Sequence, residues 1–214
     1  VNKFQIKAIK IADSVLASLD IREGQSEKEI AIKIKDLLKK FGALPAFRII
    51  VASGKRSAKP HGFATAKKIR KADLVVIDFG ALYNGFRSDI TRTVIVGKSS
   101  ALQRKIYRIV HQAAERAIKR VKDGIPCCDV DKAARDFIEK KGFGKYFIHS
   151  TGHGIKRKVH EAPKISKNNR RKLKQGMVIT IEPGIYIKGW GGIRIEDMVL
   201  VTKSGCKVLT RSPK

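Results

Sequence analysis

Leu74-Val75-Val76-Ile77-Asp78-Phe79 and Met177-Val178-Ile179-Thr180-Ile181-Glu182 decide how this chain is read. Each is a β-rich apolar run that sets a carboxylate at or next to its end. An ionised group among apolar side chains costs on the order of several kcal/mol unless a cation compensates it. A second β-rich run follows each, again with an acid inside: Asp89 within Phe86 to Val96, and Glu196 within Gly192 to Val201. Turns at Tyr83-Asn84-Gly85 and Gly189-Trp190-Gly191-Gly192 join the runs and are of the kind that closes hairpins. The separations, 11 residues from Asp78 to Asp89 and 14 from Glu182 to Glu196, suit facing positions on two hairpin arms.

The surroundings of these runs also correspond. Apolar residues at Phe4, Ala8, Ile11, Val15 and Leu19 keep a helical period, and Ser26 with Glu29 forms a capping box that opens a second helix through Ile30, Ile34, Leu37, Leu38 and Phe41. An extended run, Phe47 to Ala52, and a turn-rich stretch, Ser53 to Thr65, lead to the first hairpin. In the second half Ile106, Val110, Ala113, Ala117 and Val121 mark a third helix, and Val130, Ala134, Phe137 and Ile138 a fourth. A Gly- and His-rich loop from His149 to Glu161 leads to the second hairpin. The order of elements therefore occurs twice, over about 1–98 and 99–214, which predicts an α+β fold with duplicated units related by a pseudo-twofold. Two sheets would pack together with helices outside, in one domain over 1–214.

The composition bounds the function. The chain has 214 residues, 47 Lys and Arg against 19 Asp and Glu, a formal charge of +28 and 43% hydrophobic residues, so it can bury a core despite its charge. No apolar run approaches the roughly 18 residues of a membrane span, and the start, Val1-Asn2-Lys3-Phe4-Gln5, has no signal-peptide core. Cys127, Cys128 and Cys206 form neither a disulfide framework nor a zinc-ligand spacing; reduced thiols and a cytoplasmic location are expected. A pI near 10.3 points to a nucleic-acid or other anionic partner, or else to a solvated Lys-rich exterior.

Most of the acids fall at helix starts or on exposed helix faces, whereas Asp78, Asp89, Glu182 and Glu196 do not. Converging carboxylates with a neutral His nearby match two divalent ions sharing bridging carboxylates; separate ion pairs with Arg87, Arg92 or Arg194 are the structural alternative. His149, His153 and His160 lie within 12 residues beside glycines, and His61 holds the corresponding place in the first half. His111 lies on a helix and reads as structural.

These residues resemble the pita-bread-fold metallopeptidases, which include methionine aminopeptidase, Xaa-Pro aminopeptidase, Xaa-Pro dipeptidase (prolidase) and creatinase. The resemblance runs through almost the whole chain. It is carried by Ile77-Asp78-Phe79-Gly80-Ala81 with Ser88-Asp89-Ile90-Thr91-Arg92-Thr93, by Thr151-Gly152-His153-Gly154 with Val159-His160-Glu161-Ala162-Pro163, and by Thr180-Ile181-Glu182-Pro183-Gly184 with Arg194-Ile195-Glu196-Asp197. The family's metal ligands are matched in order by Asp78, Asp89, His153, Glu182 and Glu196. Gly191 to Asp197, with Arg194 two residues before Glu196, looks like the Xaa-Pro branch; Asp197 stands where methionine aminopeptidases carry His.

The resemblance implies a peptidase with two divalent ions (Mn, Co or Zn) that cuts between an N-terminal residue and proline through a metal-bridging hydroxide. Asp89 and Glu196 would bridge the ions, with Asp78 on one and His153 and Glu182 on the other. Glu182 would shuttle the proton, His160 and His61 would steady the carbonyl or tetrahedral intermediate, and His149 and Arg194 would shape the site around the proline. Xaa-Pro aminopeptidase-like action on peptides with proline second is the first expectation, with Xaa-Pro dipeptidase or methionine aminopeptidase-like action as alternatives. A basic, non-catalytic module binding nucleic acid or acidic proteins is the rival from another class, and a homodimer is the assembly considered. The N-terminal domain usual in the Xaa-Pro branch is expected to be absent. Lys156-Arg157-Lys158, where relatives usually have Gly-Leu-Glu, and Lys59 beside His61 are expected to narrow or charge the cleft.

Overall fold

A computed structural model describes every residue from Val1 to Lys214. The first half contains α1 (Lys3–Ala17), α2 (Glu27–Lys40), β1 (Leu44–Pro45), β2 (Ile50–Ser53), a 3-10 turn (Gly54–Ala58), β3 (Leu74–Phe79), β4 (Ala81–Tyr83), β5 (Phe86–Arg87) and β6 (Ile90–Ile95). The second half contains α3 (Ala101–Arg120), α4 (Cys127–Lys140), a short 3-10 turn, β7 (Gly152–Gly154), β8 (Glu161–Ile165), β9 (Val178–Ile181), β10 (Gly184–Ile187), β11 (Gly191–Arg194), β12 (Asp197–Val201) and β13 (Cys206–Val208). Helices and antiparallel ladders appear in the expected α+β order. No helix is long and apolar enough to cross a membrane.

The helices begin where side chains satisfy their free N–H groups. Ser26 Oγ accepts from the Glu29 N–H at 3.2 Å while the Glu29 carboxylate accepts from the Ser26 N–H, closing the predicted capping box of α2. Ser100 and Gln103 do the same for α3. Each helix turns one apolar stripe inward: Ile30, Ile34 and Leu38 from α2, and Ile106, Val110, Ala113 and Ala117 from α3. There are two main cores, one per half. One lies under α1 and α2 with Val51, Ile77, Phe79 and Ile90, and the other under α3 and α4 with Ile165, Ile179, Ile181 and Val199.

The duplication extends to individual backbone bonds. Gly24 N–H donates to Ile69 C=O as Gly124 N–H does to Leu173 C=O, both at 2.9 Å, and Ile69 N–H donates to Gln25 C=O as Leu173 N–H does to Ile125 C=O, both at 2.8 Å. The isolated pairings Ser26 with Lys68 and Pro126 with Lys172 correspond as well. In each half a later loop therefore clasps the entry to the second helix.

The strands are more broken than the sequence suggests. The run from Phe86 to Val96 splits at Ser88-Asp89, the run from Gly192 to Val201 splits at Ile195-Glu196, and separate strands β4 and β10 intervene after Phe79 and after Pro183. Phe47 and Arg48 are left outside β2. His153, expected in a loop, lies on β7. Instead of two sheets there are four ladders, in orders β1-β4-β5, β2-β3-β6, β10-β11 and β13-β12-β9-β7-β8. The halves are stitched where Glu196 N–H donates to Thr91 C=O at 3.1 Å, and where Arg194 N–H donates to Thr93 Oγ1 at 3.1 Å. Asp89, Glu182 and Glu196 fall in these breaks, next to strand ends, whereas Asp78 stays inside β3 and faces Ile50 and Thr91 on its two neighbouring strands.

Two glycines allow the backbone to approach closely beside candidate site residues. A Cβ on Gly80 would lie 1.8 Å from the Ser88 carbonyl oxygen, and one on Gly152 would lie 1.9 Å from that of Thr180. Gly80 and Ser88 flank Asp78 and Asp89, and Gly152 and Thr180 flank His153 and Glu182, so each contact fixes the separation of two candidate site residues.

Acids outside the candidate site are also buried, which the sequence reading did not anticipate. Glu27 is 0% exposed. Its Oε1 accepts from the Ser53 N–H and Oγ at 2.8 and 2.9 Å, its Oε2 accepts from the Thr65 N–H and Oγ1 at 3.0 and 2.7 Å, and Arg56 pairs with it. Asp131 is held likewise by Arg135 and by the Thr151 N–H and hydroxyl, and Asp197 by Arg92. Burial alone would raise the Glu27 pKa, but the hydrogen bonds from Thr65 and Ser53 outweigh it and hold the carboxyl below its usual 4.5.

Glu27→Ala is expected to cost about 3–5 kcal/mol of unfolding free energy, because it leaves Arg56 and four donors without their acceptor. Denaturant titration checks this. Because the folded pKa is depressed, the Glu27 contribution is complete above pH 4.5 and fades as the pH falls through the folded value, so the gap between wild type and variant shrinks on acidification. Gly80→Ala and Gly152→Ala are expected to lower the melting temperature far more than Gly205→Ala, whose Cβ meets nothing within 4 Å.

Candidate active site

Strand alternation decides which side chains reach the site. In β3, Val75, Ile77 and Phe79 enter the first core, so Asp78 faces the other way. In β9, Ile179 and Ile181 enter the second core, which turns Thr180 and Glu182 outward from it; Ile193 and Ile195 do the same for Arg194 and Glu196. Asp89 precedes Thr91 and Thr93 with the same parity. These faces line one cleft of about 710 Å³, together with Phe47, Arg48, Ile50, Pro60, His61, Phe63, His149, Ser150, His153, Val159, His160 and Lys164.

The structure brings Asp78, Asp89, His153, Glu182, Glu196, His61, His149, His160 and Arg194 to this one cleft. His153 Nε2 lies 3.3 Å from Glu182 Oε1 and 3.8 Å from Asp89 Oδ2. Ligand atoms of Asp89, His153 and Glu196 all lie within 4.8 Å of one another. Thr91 Oγ1 donates to Glu196 Oε2 at 2.7 Å, Thr180 Oγ1 donates to Glu182 Oε1 at 3.2 Å, and Arg194 donates to Asp78 Oδ2. The His153 and His160 ring centroids are 4.5 Å apart, with His160 and His61 on the exposed rim. His149 lies deeper, its Nε2 2.9 Å from the Tyr186 hydroxyl, which in turn accepts from Arg194 at 2.7 Å.

Of the ion pairs weighed as an alternative, only that of Arg194 with Asp78 forms; Arg92 pairs with Asp197, and Arg87 donates to backbone carbonyls. That one cation leaves the cluster far from neutral. Burial, reinforced by neighbouring carboxylates, raises the Asp89 and Glu196 pKa values well above the usual range. Burial also raises that of Asp78, partly offset by Arg194. Glu182 is the exception: burial opposes its ionisation, but the hydrogen bond and charge of His153 bring its pKa down. Burial lowers the pKa of His149.

The donor set fits a metal. Asp78 Oδ1, Asp89 Oδ1 and Glu196 Oε1 are buried and have no hydrogen-bond partner, although buried polar atoms are almost always partnered. Three orphaned carboxylate oxygens beside an imidazole form an oxygen-rich donor set suited to a divalent metal ion. Asp89, His153 and Glu196 form the group that could hold it, and Asp78 and Glu182 line the same cleft.

The sequence reading also missed several neighbours. Thr91 and Thr180 carry the alternation signal that would have found them, whereas Tyr186 reads as part of an apolar run. Lys156 and Lys59 do not line the cleft. The Lys156 backbone instead bonds to Arg87 and Lys158, and the cations that do line the cleft are Arg48, Arg194 and Lys164. Lys164 faces His153 across the β7–β8 ladder, a pairing that spacing alone does not reveal.

Residues 5–203 match the model of metallopeptidase family M24. The Xaa-Pro dipeptidase of Pyrococcus furiosus is 52% identical over 211 residues, which cover 97% of this chain and 61% of the relative. A Bacillus subtilis protein known as uncharacterized peptidase YqhT is 44% identical over 211 residues, covering 97% of this chain and 60% of the relative. Among solved structures, prolidase from Pyrococcus furiosus superposes with a TM-score of 0.97 at 50% identity over 99% of this chain and 64% of that chain. X-Pro aminopeptidase from Thermotoga maritima superposes at 0.96 and 44% identity over 99% of this chain and 61% of that chain. The chain thus spans about three fifths of the length of the relatives it matches. With its helices set against antiparallel ladders in the pita-bread arrangement, the chain belongs to metallopeptidase family M24.

Proposed function

We propose that this chain carries the catalytic centre of an Xaa-Pro dipeptidase that works with two divalent ions. The observation that carries the reading is the set of orphaned carboxylate oxygens on Asp78, Asp89 and Glu196, gathered with His153 and Glu182 at the floor of one cleft. When bound, the ions would polarise the scissile carbonyl and make water acidic enough to attack it near neutral pH.

The chain's own groups supply the remaining steps. Glu182, kept ionised beside His153, takes the proton of the attacking water and returns it to the departing prolyl nitrogen. His160 and His61, on the rim, donate hydrogen bonds to the carbonyl oxygen as negative charge develops there. Tyr186 holds His149 and Arg194 in place, so the floor of the cleft is pre-shaped where the proline ring would rest.

The order of the expected activities changes. An aminopeptidase was the first expectation, but the most similar relatives reported above favour the dipeptidase. The cleft supports the same choice: the Lys164 ammonium makes no ion pair or hydrogen bond in the structure and projects from the strand facing His153. An unneutralised cation one strand from the metal-ligating imidazole suits the free carboxylate of a dipeptide. The Thermotoga maritima relative keeps the aminopeptidase as the second reading.

Protein reconstituted with Mn(II), Co(II) or Zn(II) is expected to cut an Xaa-Pro dipeptide faster than an Xaa-Pro-Xaa tripeptide. Protein that binds metal and leaves both uncut would falsify the proposal, and faster cleavage of the tripeptide would favour the aminopeptidase. Glu182→Ala is expected to lower kcat by about 100-fold or more. Lys164→Met is expected to raise KM for the dipeptide about tenfold, and for the tripeptide by less.

A further inference from the structure

The cleft has a second cation with no assigned work. Arg48 lies in the segment between β1 and β2 that was expected to be strand, and it lines the same cleft as His61 and Phe63. Its guanidinium sits over the Phe63 ring, 3.9 Å from the centroid. That stacking fixes the plane of the guanidinium and leaves its N–H edge free. Arg48 makes no side-chain hydrogen bond and no ion pair, unlike Arg194, whose donors are engaged by Asp78, Tyr186, Thr91 and Pro60.

Charge within the cleft is lopsided. Its only acids are Asp78, Asp89, Glu182 and Glu196, all of them the proposed metal ligands. No lining carboxylate is therefore left over for Arg48 or Lys164, which come one from each half of the chain. A dipeptide has a single free carboxylate, which Lys164 is positioned to take. The remaining fixed, planar cation beside the apolar wall of Phe47, Ile50 and Phe63 suits a carboxylate on a short apolar stem.

We propose that Arg48 is a specificity residue for an acidic N-terminal side chain, so that the preferred substrates are dianionic dipeptides of the Glu-Pro and Asp-Pro type. The inference rests on the Xaa-Pro dipeptidase reading. Arg48 acts on binding and takes no part in proton transfer, and its guanidinium forms a charge-assisted pair with the side-chain carboxylate of the residue to be released.

Glu-Pro and its uncharged isostere Gln-Pro, offered to the metal-loaded protein, provide the test. Glu-Pro is expected to have about a tenfold higher kcat/KM, with the difference in KM and shrinking at high salt. Arg48→Gln is expected to remove most of that ratio, and Arg48→Glu to shift preference from Glu-Pro toward Lys-Pro. Lys164→Met is expected to weaken Glu-Pro and Gln-Pro in the same proportion, because both carry the C-terminal carboxylate. Equal kcat/KM for Glu-Pro and Gln-Pro in the wild type, or a ratio that survives Arg48→Gln, overturns the assignment to Arg48 and leaves the dipeptidase reading intact. Failure to cut either dipeptide overturns both.

Discussion

Mutual repulsion among carboxylates that have been drawn out of water is the constraint around which this structure is arranged. Asp78, Asp89, Glu182 and Glu196 share one cleft; Arg194 pairs with Asp78, and the His153 ring lies 3.3 Å from Glu182 and 3.8 Å from Asp89. Asp89 and Glu196 are left with strongly raised pKa values and orphaned oxygens. Such a cluster lowers stability unless a polyvalent cation joins it. Everything around it serves to hold the acids in place against that cost: the two apolar cores, the bonds between Thr91, Thr93, Arg194 and Glu196 that stitch the halves, and the close contacts of Gly80 and Gly152.

The duplicated architecture suits this task. Each half contributes two of the four acids, and each presses a glycine against the carbonyl of a neighbouring segment, Gly80 beside Asp78 and Asp89 and Gly152 beside His153 and Glu182. Each half also buries an acid away from the cleft, Glu27 in one and Asp131 in the other, that ties a helix to the strand or loop leading into the site. Unlike the acids of the cleft, these two are saturated with donors. That contrast separates these two carboxylates from those gathered in the cleft more sharply than burial does, since both kinds are buried.

The charge of +28 takes on a different meaning once the fold is known. Six of the 19 acids are buried, but only Arg92 and Arg194 among the 47 Lys and Arg. The exterior is therefore even more cationic than the composition implies. It includes a groove between α3 and α4 where Arg120 and Lys132 are paired with Asp129 and Asp136, while Arg116 and Lys141 stack on Phe137. Most of this charge lies away from the cleft, and Arg48 and Lys164 are the exposed part of it that lines the cleft.

Alternation along Leu74 to Phe79 and along Val178 to Glu182, the capping box at Ser26 and the repeated order of elements were legible in the sequence, because each depends on neighbours within a few residues. So were Asp78, Asp89, Glu182 and Glu196 as candidates, because an acid beside an apolar run contradicts its local surroundings, and His153 because it falls in a Gly- and His-rich stretch. Where the strands break, which sheet each strand joins, and which lysines reach the cleft were not legible. Lys156 and Lys59 stand next to site residues in the chain and point elsewhere, whereas Lys164 and Arg48 enter the cleft through a cross-strand pairing and a ring stack. Local periodicity determines which face of a strand is apolar; only packing between distant segments determines what that face, and the charged one behind it, will meet.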